Sequence, residues 1–204
     1  GWGQSDRGND IFVPGSYWYI GEAVEAAAPG DTIWVNEPLL WDVYEEDMMV
    51  VDKPLSIIGL GPELVEIASN GPDPWVFDVQ SDDVTISGFT LWPYANGVRV
   101  NASDNVEVSD LVIEESMIGY QDGIDAVNGS TNVLIANNTI YDKATAIGLN
   151  NSAGVDVLNN TLYNQRLGVI VDNSSMVDVM DNTIEDTYCG WYFDGAWHQL
   201  VNTE

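Results

Sequence analysis

Apolar and polar residues alternate in short bursts along this chain, and the bursts recur at a steady interval. Val84, Val106, Val133, Val155 and Val177 open the same phrase at spacings of 22, 27, 22 and 22 residues. The phrases run 84–91, 106–113, 133–140, 155–162 and 177–184, and each reads as a strand, a polar corner and a second strand. A third apolar burst follows each one, at 97–100, 123–127, 146–149, 168–171 and 190–193, with a glycine in or beside it. Three short strands per coil leave no room for a helix between them, which predicts a solenoid whose strands stack parallel on the next coil. Alternation places Val, Ile and Leu inside and Asp, Glu, Asn and Thr outside. The expected fold is all-β, a right-handed parallel β-helix.

The ends are less regular. Residues 17–28 read as a short amphipathic helix stopped by Pro29-Gly30-Asp31, placed to cap the N-terminal end of the stack. Segments 31–35, 48–51, 55–58 and 65–67 read as the first rungs. The expectation is one domain over 1–204: an N-terminal segment and cap helix to residue 30, irregular rungs over 31–80, regular rungs over 81–197 and an edge at 198–204. The single long interval places five extra residues between Ile113 and Gly123. Such an insertion marks a working face in many solenoids, or is a surface insertion tolerated because loop closure costs little.

The runs Ile20–Val35 and Val51–Ile67, followed by the repeated Asn-Asn-Thr-Ile, Asn-Asn-Thr-Leu and Asp-Asn-Thr-Ile corners, resemble the pectate-lyase-like parallel β-helix repeat proteins of archaeal and bacterial surfaces. The resemblance extends from about Ile11 onward. It implies the fold but no single activity, since that fold carries lyases, hydrolases, epimerases, adhesins and structural proteins.

Thirty-three acidic residues against five basic ones give a net charge of −28. That field repels nucleic acid and anionic membranes, which argues against nucleic-acid binding. No stretch suits membrane insertion. Aspartate outnumbers glutamate 21 to 12, a balance of salt-adapted or cation-bathed extracellular proteins. No cofactor is expected; Ca²⁺ or other cations would bind non-specifically, because no spaced calcium loop occurs. The chain opens at Gly1 without methionine, as expected of an extracellular, cell-surface protein after removal of an export signal.

Six Asn-x-Ser/Thr triplets occur, and Asn101, Asn128, Asn150 and Asn173 are the glycosylation candidates. Asn138, Asn160 and Asn182 share one rung position and are expected to form an amide ladder. Cys189, the only cysteine, is expected to be a buried thiol, with pairing to a second copy as the alternative.

Candidate chemistry is sparse. Lyase chemistry of the pectate-lyase type would need an arginine or lysine base, and Arg99 and Arg166 lie on different rungs with no carboxylate cluster expected beside either. Residues 121–140 resemble the polygalacturonase stretch around an Asn-Thr-Asp-Gly motif, and that resemblance implies a catalytic carboxylate at Asp122. The next coil, however, carries Lys143 and Ala144 where that family has paired aspartates, and no Gly-His-Gly follows. Glycosidic hydrolysis needs two carboxylates at a controlled separation. Asp122 and Asp142 therefore stand as weak catalytic candidates. His198 is alone and supports neither a metal site nor a triad.

The aromatic residues near the ends complete the reading. Trp2, Trp191, Tyr192, Phe193 and Trp197, with Cys189, are the candidate assembly interface, because aromatic anchors and an uncapped coil favour pairing with another copy. The leading expectation is a non-catalytic structural protein that self-assembles into a sheath, surface layer or filament. A carbohydrate-binding module is the alternative, using exposed tryptophans such as Trp75 and Trp92. An aromatic row along one outer sheet would distinguish it. A polysaccharide lyase or hydrolase would need convergent carboxylates near the 114–122 loop.

Overall fold

The computed structural model describes residues 9–40, 42–69, 74–114, 121–194 and 198–201. Among these, the chain winds as a right-handed parallel β-helix with three sheets. The first sheet has nine strands: Asp10–Val13, Thr32–Val35, Ser56–Gly59, Val84–Ser87, Asp104–Ser109, Thr131–Ala136, Ala153–Leu158, Ser175–Met180 and His198–Val201. The second has seven short ones: Tyr44–Glu46, Glu66–Ser69, Thr90–Trp92, Val112–Ile113, Thr139–Tyr141, Thr161–Tyr163 and Thr183–Glu185. The third also has seven: Met49–Val51, Trp75–Val79, Asn96–Asn101, Asp122–Val127, Thr145–Asn150, Leu167–Asp172 and Cys189–Asp194.

The repeat valines stack as predicted. Val84, Val106, Val133, Val155 and Val177 are consecutive partners in the first sheet and at most 2% exposed. Each such burial stabilises by roughly 1.5–3 kcal/mol. Corners are turned by residues in the left-handed backbone region, among them Asp110, Asn137, Asn159 and Asp181 at one corner. Asn and Asp tolerate that conformation best after glycine, which accounts for their frequency here.

Inside the same corner the predicted ladder is present. Asn138 and Asn160 each donate a side-chain amide to the Oδ1 of the residue one coil on, at 3.0 and 2.9 Å. All three asparagines are at most 2% exposed. Ser130, Ser152 and Ser174 line a second corner, and Gln165 a third, each bonding buried backbone. Buried polar corners survive because every group in them is partnered.

The cap helix is shorter than predicted, spanning Ile20–Ala26, with Ile20, Ala23 and Val24 buried against the first coil. Its start is set by tertiary contact. The Glu46 carboxylate accepts hydrogen bonds from the backbone N–H of Ile20 at 2.6 Å and of Gly21 at 3.2 Å. At the other end Asp31 accepts from Ala28 N–H at 2.8 Å while Ala27 is already extended, so the helix stops before Pro29.

Candidate functional site

Two outer faces carry chemistry, those of the second and third sheets. On the third sheet one outward row runs Val50, Asp78, Arg99, Asp125, Gly148, Ile170 and Tyr192, in register from coil to coil. Arg99 donates from Nε to Asp78 Oδ1 at 2.8 Å and from Nη2 to Oδ2 at 2.7 Å. Gln80 adds a bond to Asp78 Oδ2 at 2.6 Å, and the guanidinium carbon sits 5.5 Å from the Trp75 ring centroid. Asp78 is 1% exposed; burial pulls its carboxyl upward, but the bonds from Arg99 and Gln80 outweigh it and hold the group below its ordinary value. Such a forked pair is among the stronger polar contacts in proteins.

Asp125, the next residue in the row, behaves oppositely. Burial, then the neighbouring charge of Asp122, push its carboxyl up to about 7, against the opposing pull of Arg99. Gly148 makes room for it: a Cβ there would run into the Asp125 carboxylate. The row thus joins an ionised carboxylate, a fixed guanidinium and a carboxyl that exchanges its proton near neutral pH. That is the charge pattern expected of general acid–base sites. The expectation of no carboxylate cluster in register beside Arg99 is therefore corrected: Asp78 and Asp125 flank it on the adjoining coils. It failed because Asp78 lies on an irregular early coil and Asp125 lies just after the insertion, so neither falls at the regular spacing.

The second sheet carries an aromatic row. Leu91 pairs with Ile113 and Ile113 with Ile140, which aligns Trp92, Glu114 and Tyr141 on the outer face, followed by Tyr163 and Glu185. Tyr141 and Tyr163 stack at 5.0 Å between centroids with planes 18° apart. Trp92 is 40% exposed and donates Nε1–H to Glu66 at 3.0 Å. Burial and a hydrogen bond with Glu114 raise the Tyr141 hydroxyl above its ordinary value.

Other expected site residues fall elsewhere. Trp75 is buried under Arg99 and is not an exposed platform. Asp122 neighbours Asp125, whereas Asp142 lies on a corner and accepts a hydrogen bond from Asn164. Trp191 and Phe193 pair with Val169 and Val171 at inward positions, and only Tyr192 among the three points outward. Cys189 is half-buried, not fully buried, and its thiol meets the Trp191 carbonyl at 3.3 Å. Trp2 and Trp197 lie outside the described residues. Three of the four candidate glycosylation amides donate along corners, Asn128 to Asn101, Asn150 to Asp172 and Asn173 to Asn151, while Asn101 accepts through its Oδ1.

Comparison with known proteins follows the fold. The family model described as periplasmic copper-binding protein (NosD) matches residues 62–202. The chain belongs to the NosD family. Among curated protein sequences, none matches. Solved structures share the fold at low identity. An alginate lyase from a Paenibacillus species is 14% identical with a TM-score of 0.62, over 86% of this chain and 66% of that one. Pectin methylesterase PemA from Erwinia chrysanthemi is 12% identical with a TM-score of 0.61, over 89% and 67%. The pectin methylesterase from Aspergillus niger is 14% identical with a TM-score of 0.57, over 98% and 86%. At these identities the likeness is one of fold.

The NosD description names copper, which takes imidazole, thiolate and thioether ligands. Among the described residues no three His, Cys, Asp or Glu side chains gather where they could hold a metal. Cys189 lies on the third sheet and His198 on a strand of the first, while Met49 is buried in the core and Met176 is exposed on the first sheet. Among the described residues, this donor set does not fit a copper centre.

Proposed function

We propose that this NosD-family chain is a carbohydrate-binding β-helix acting outside the cytoplasm. The observation that carries the reading is the aromatic row Trp92, Tyr141 and Tyr163 along the second sheet. Aromatic side chains spaced along parallel strands, with Glu114 between Trp92 and Tyr141 and Glu66 on the coil before them, suit the alternating apolar and hydroxyl surfaces of a polysaccharide. The polysaccharide-active neighbours of the same fold support it, as does the family's periplasmic description. Affinity electrophoresis in gels containing soluble polysaccharides tests it. Retardation by at least one polysaccharide, with affinity falling about tenfold in Trp92→Ala and Tyr163→Ala, is the expected result. No retardation by any polysaccharide would overturn it.

A second reading is hydrolysis of a glycan ester or glycosidic bond on the third sheet, favoured by Asp125 beside Arg99 and the ionised Asp78. In that reading Asp125 is the acid–base group and Arg99 fixes developing negative charge. Release of acid or reducing ends from a polysaccharide panel, abolished by Asp125→Asn, is its test. Wild-type protein inert across the panel would exclude it.

A further inference from the structure

We propose that the corner groove next to Tyr163 is a binding subsite for one hexopyranose unit of a neutral polysaccharide, with Arg166 and Tyr188 as its recognition residues. This rests on the carbohydrate-binding reading and adds to it the site and the class of sugar. The groove measures about 460 Å³ and is lined by Asn164, Gln165, Arg166, Asp186 and Tyr188. It begins where the aromatic row ends, since Asn164 follows Tyr163 in the chain.

Coil stacking builds the groove. Thr145, Leu167 and Cys189 are partners in the third sheet, so the residues before them, Ala144, Arg166 and Tyr188, follow one another up the outer corner. Asn164 and Asp186 form the opposite wall, both in left-handed backbone conformation, with Asp142 on the coil before them. Gln165 is the floor. It is 3% exposed, accepts from Lys143 N–H at 2.8 Å and donates to the carbonyls of Ile140 and Tyr163 at 2.7 and 2.8 Å. The walls therefore stand on a fixed base, and the small side chain of Ala144 leaves the space beside Arg166 open.

The wall chemistry matches vicinal hydroxyls. Arg166 has neither an ion pair nor a side-chain hydrogen bond among the described residues, whereas Arg99 is locked to Asp78 and Lys53 reaches the carbonyls of Glu25 and Ala27. Its guanidinium offers a planar set of donors. Asp186 offers acceptors, and Asn164, whose amide nitrogen is given to Asp142, keeps its Oδ1 free to accept. A sugar hydroxyl both donates and accepts, so a donor wall facing an acceptor wall satisfies it. Tyr188 is 90% exposed and supplies a ring face for the C–H surface of the sugar. Asp142, Glu185 and Asp186 outnumber the one guanidinium, so a uronate carboxylate would meet net repulsion.

Isothermal titration with cellohexaose, maltohexaose, mannohexaose and hexagalacturonate tests the proposal on wild type, Arg166→Ala, Tyr188→Ala, Tyr188→Phe and Trp92→Ala. At least one neutral hexasaccharide is expected to bind. Its affinity should fall about tenfold in Arg166→Ala and Tyr188→Ala and stay near wild type in Tyr188→Phe. Both positions are exposed, so thermal midpoints should remain close to wild type and separate lost binding from lost folding. Binding lost in Trp92→Ala but unchanged in Arg166→Ala and Tyr188→Ala would overturn the groove and leave carbohydrate binding standing. Tighter binding of hexagalacturonate than of every neutral sugar would overturn the assignment of sugar class. Wild type binding none of the four would overturn the proposal, and the polysaccharide gels then decide the broader reading separately.

Discussion

Asn160 Oδ1 accepts a hydrogen bond from its own neighbour's place in the fold, Asn138 on the adjoining coil, whose backbone N–H and side-chain amide reach it at 2.9 and 3.0 Å. Asn160 in turn donates its backbone N–H and side-chain amide to Asn182 at 2.8 and 2.9 Å. One oxygen therefore satisfies two donors in an interior corner that water does not reach. Replacing Asn160 by Leu leaves the Asn138 donors without that acceptor. Each buried group so stranded costs about 1–3 kcal/mol. Urea unfolding of Asn160→Leu should show a midpoint well below that of wild type, while Asn150→Leu at an exposed strand end should move it far less. Equal midpoints for Asn160→Leu and wild type would show that the ladder contributes nothing.

Asp78 and Arg99 predict an asymmetric pair of variants. Arg99→Met takes the forked partner away from the Asp78 carboxylate, at a cost of about 1–3 kcal/mol. Changing both residues together, Asp78→Asn with Arg99→Met, removes the charge with its partner and should cost less than Arg99→Met alone. A thermal-denaturation double-mutant cycle measures the difference, and strictly additive effects would contradict it.

Asp125 makes a prediction about pH. Its carboxyl lies near 7 in the folded chain against an ordinary 3.8, so between those values the folded state binds more protons than the unfolded one. Stability contributed by this group is thus fully present at low pH and is lost as pH rises through about 7. Asp125→Asn should be more stable than wild type at pH 8 and lose that advantage by pH 4. Unfolding midpoints across this range check it; an advantage that does not vary with pH would exclude the raised carboxyl.

Asp156 and Asp178 are direct partners on the outer face of the first sheet. Burial, then the charge of Asp178, raises the Asp156 carboxyl. Like charges directly opposite each other destabilise a sheet, and salt screens them. Asp178→Asn should raise the thermal midpoint at low ionic strength, with the gain shrinking in molar NaCl. A gain independent of salt would point to packing instead.

The coil spacing, the inward valines and the asparagine ladder were all legible from the sequence, because alternation of period two and a 22-residue repeat each follow from local chain geometry. The cap helix was legible in place but not in length. Its first turn is set by Glu46, 26 residues away from Ile20, and propensity carries no record of that contact. Trp75 looked exposed because aromatic residues in an irregular rung have no periodic partner to fix their side; Arg99 lies over it instead. The tyrosine stack and the meeting of Asp78, Arg99 and Asp125 escaped for a related reason. Each is a relation between outward residues on different coils, and nothing in the local pattern specifies which outward side chains share a row once an insertion intervenes.

The sequence by itself determined that this chain coils, which residues enter its core, and that its surface is strongly acidic, since these depend on period, hydrophobicity and composition. Only the tertiary structure decided which acidic groups are ionised and which aromatic rings line up. Those outcomes depend on the register between coils, where a carboxyl 21 or 26 residues from Arg99 becomes its immediate neighbour and burial sets its charge.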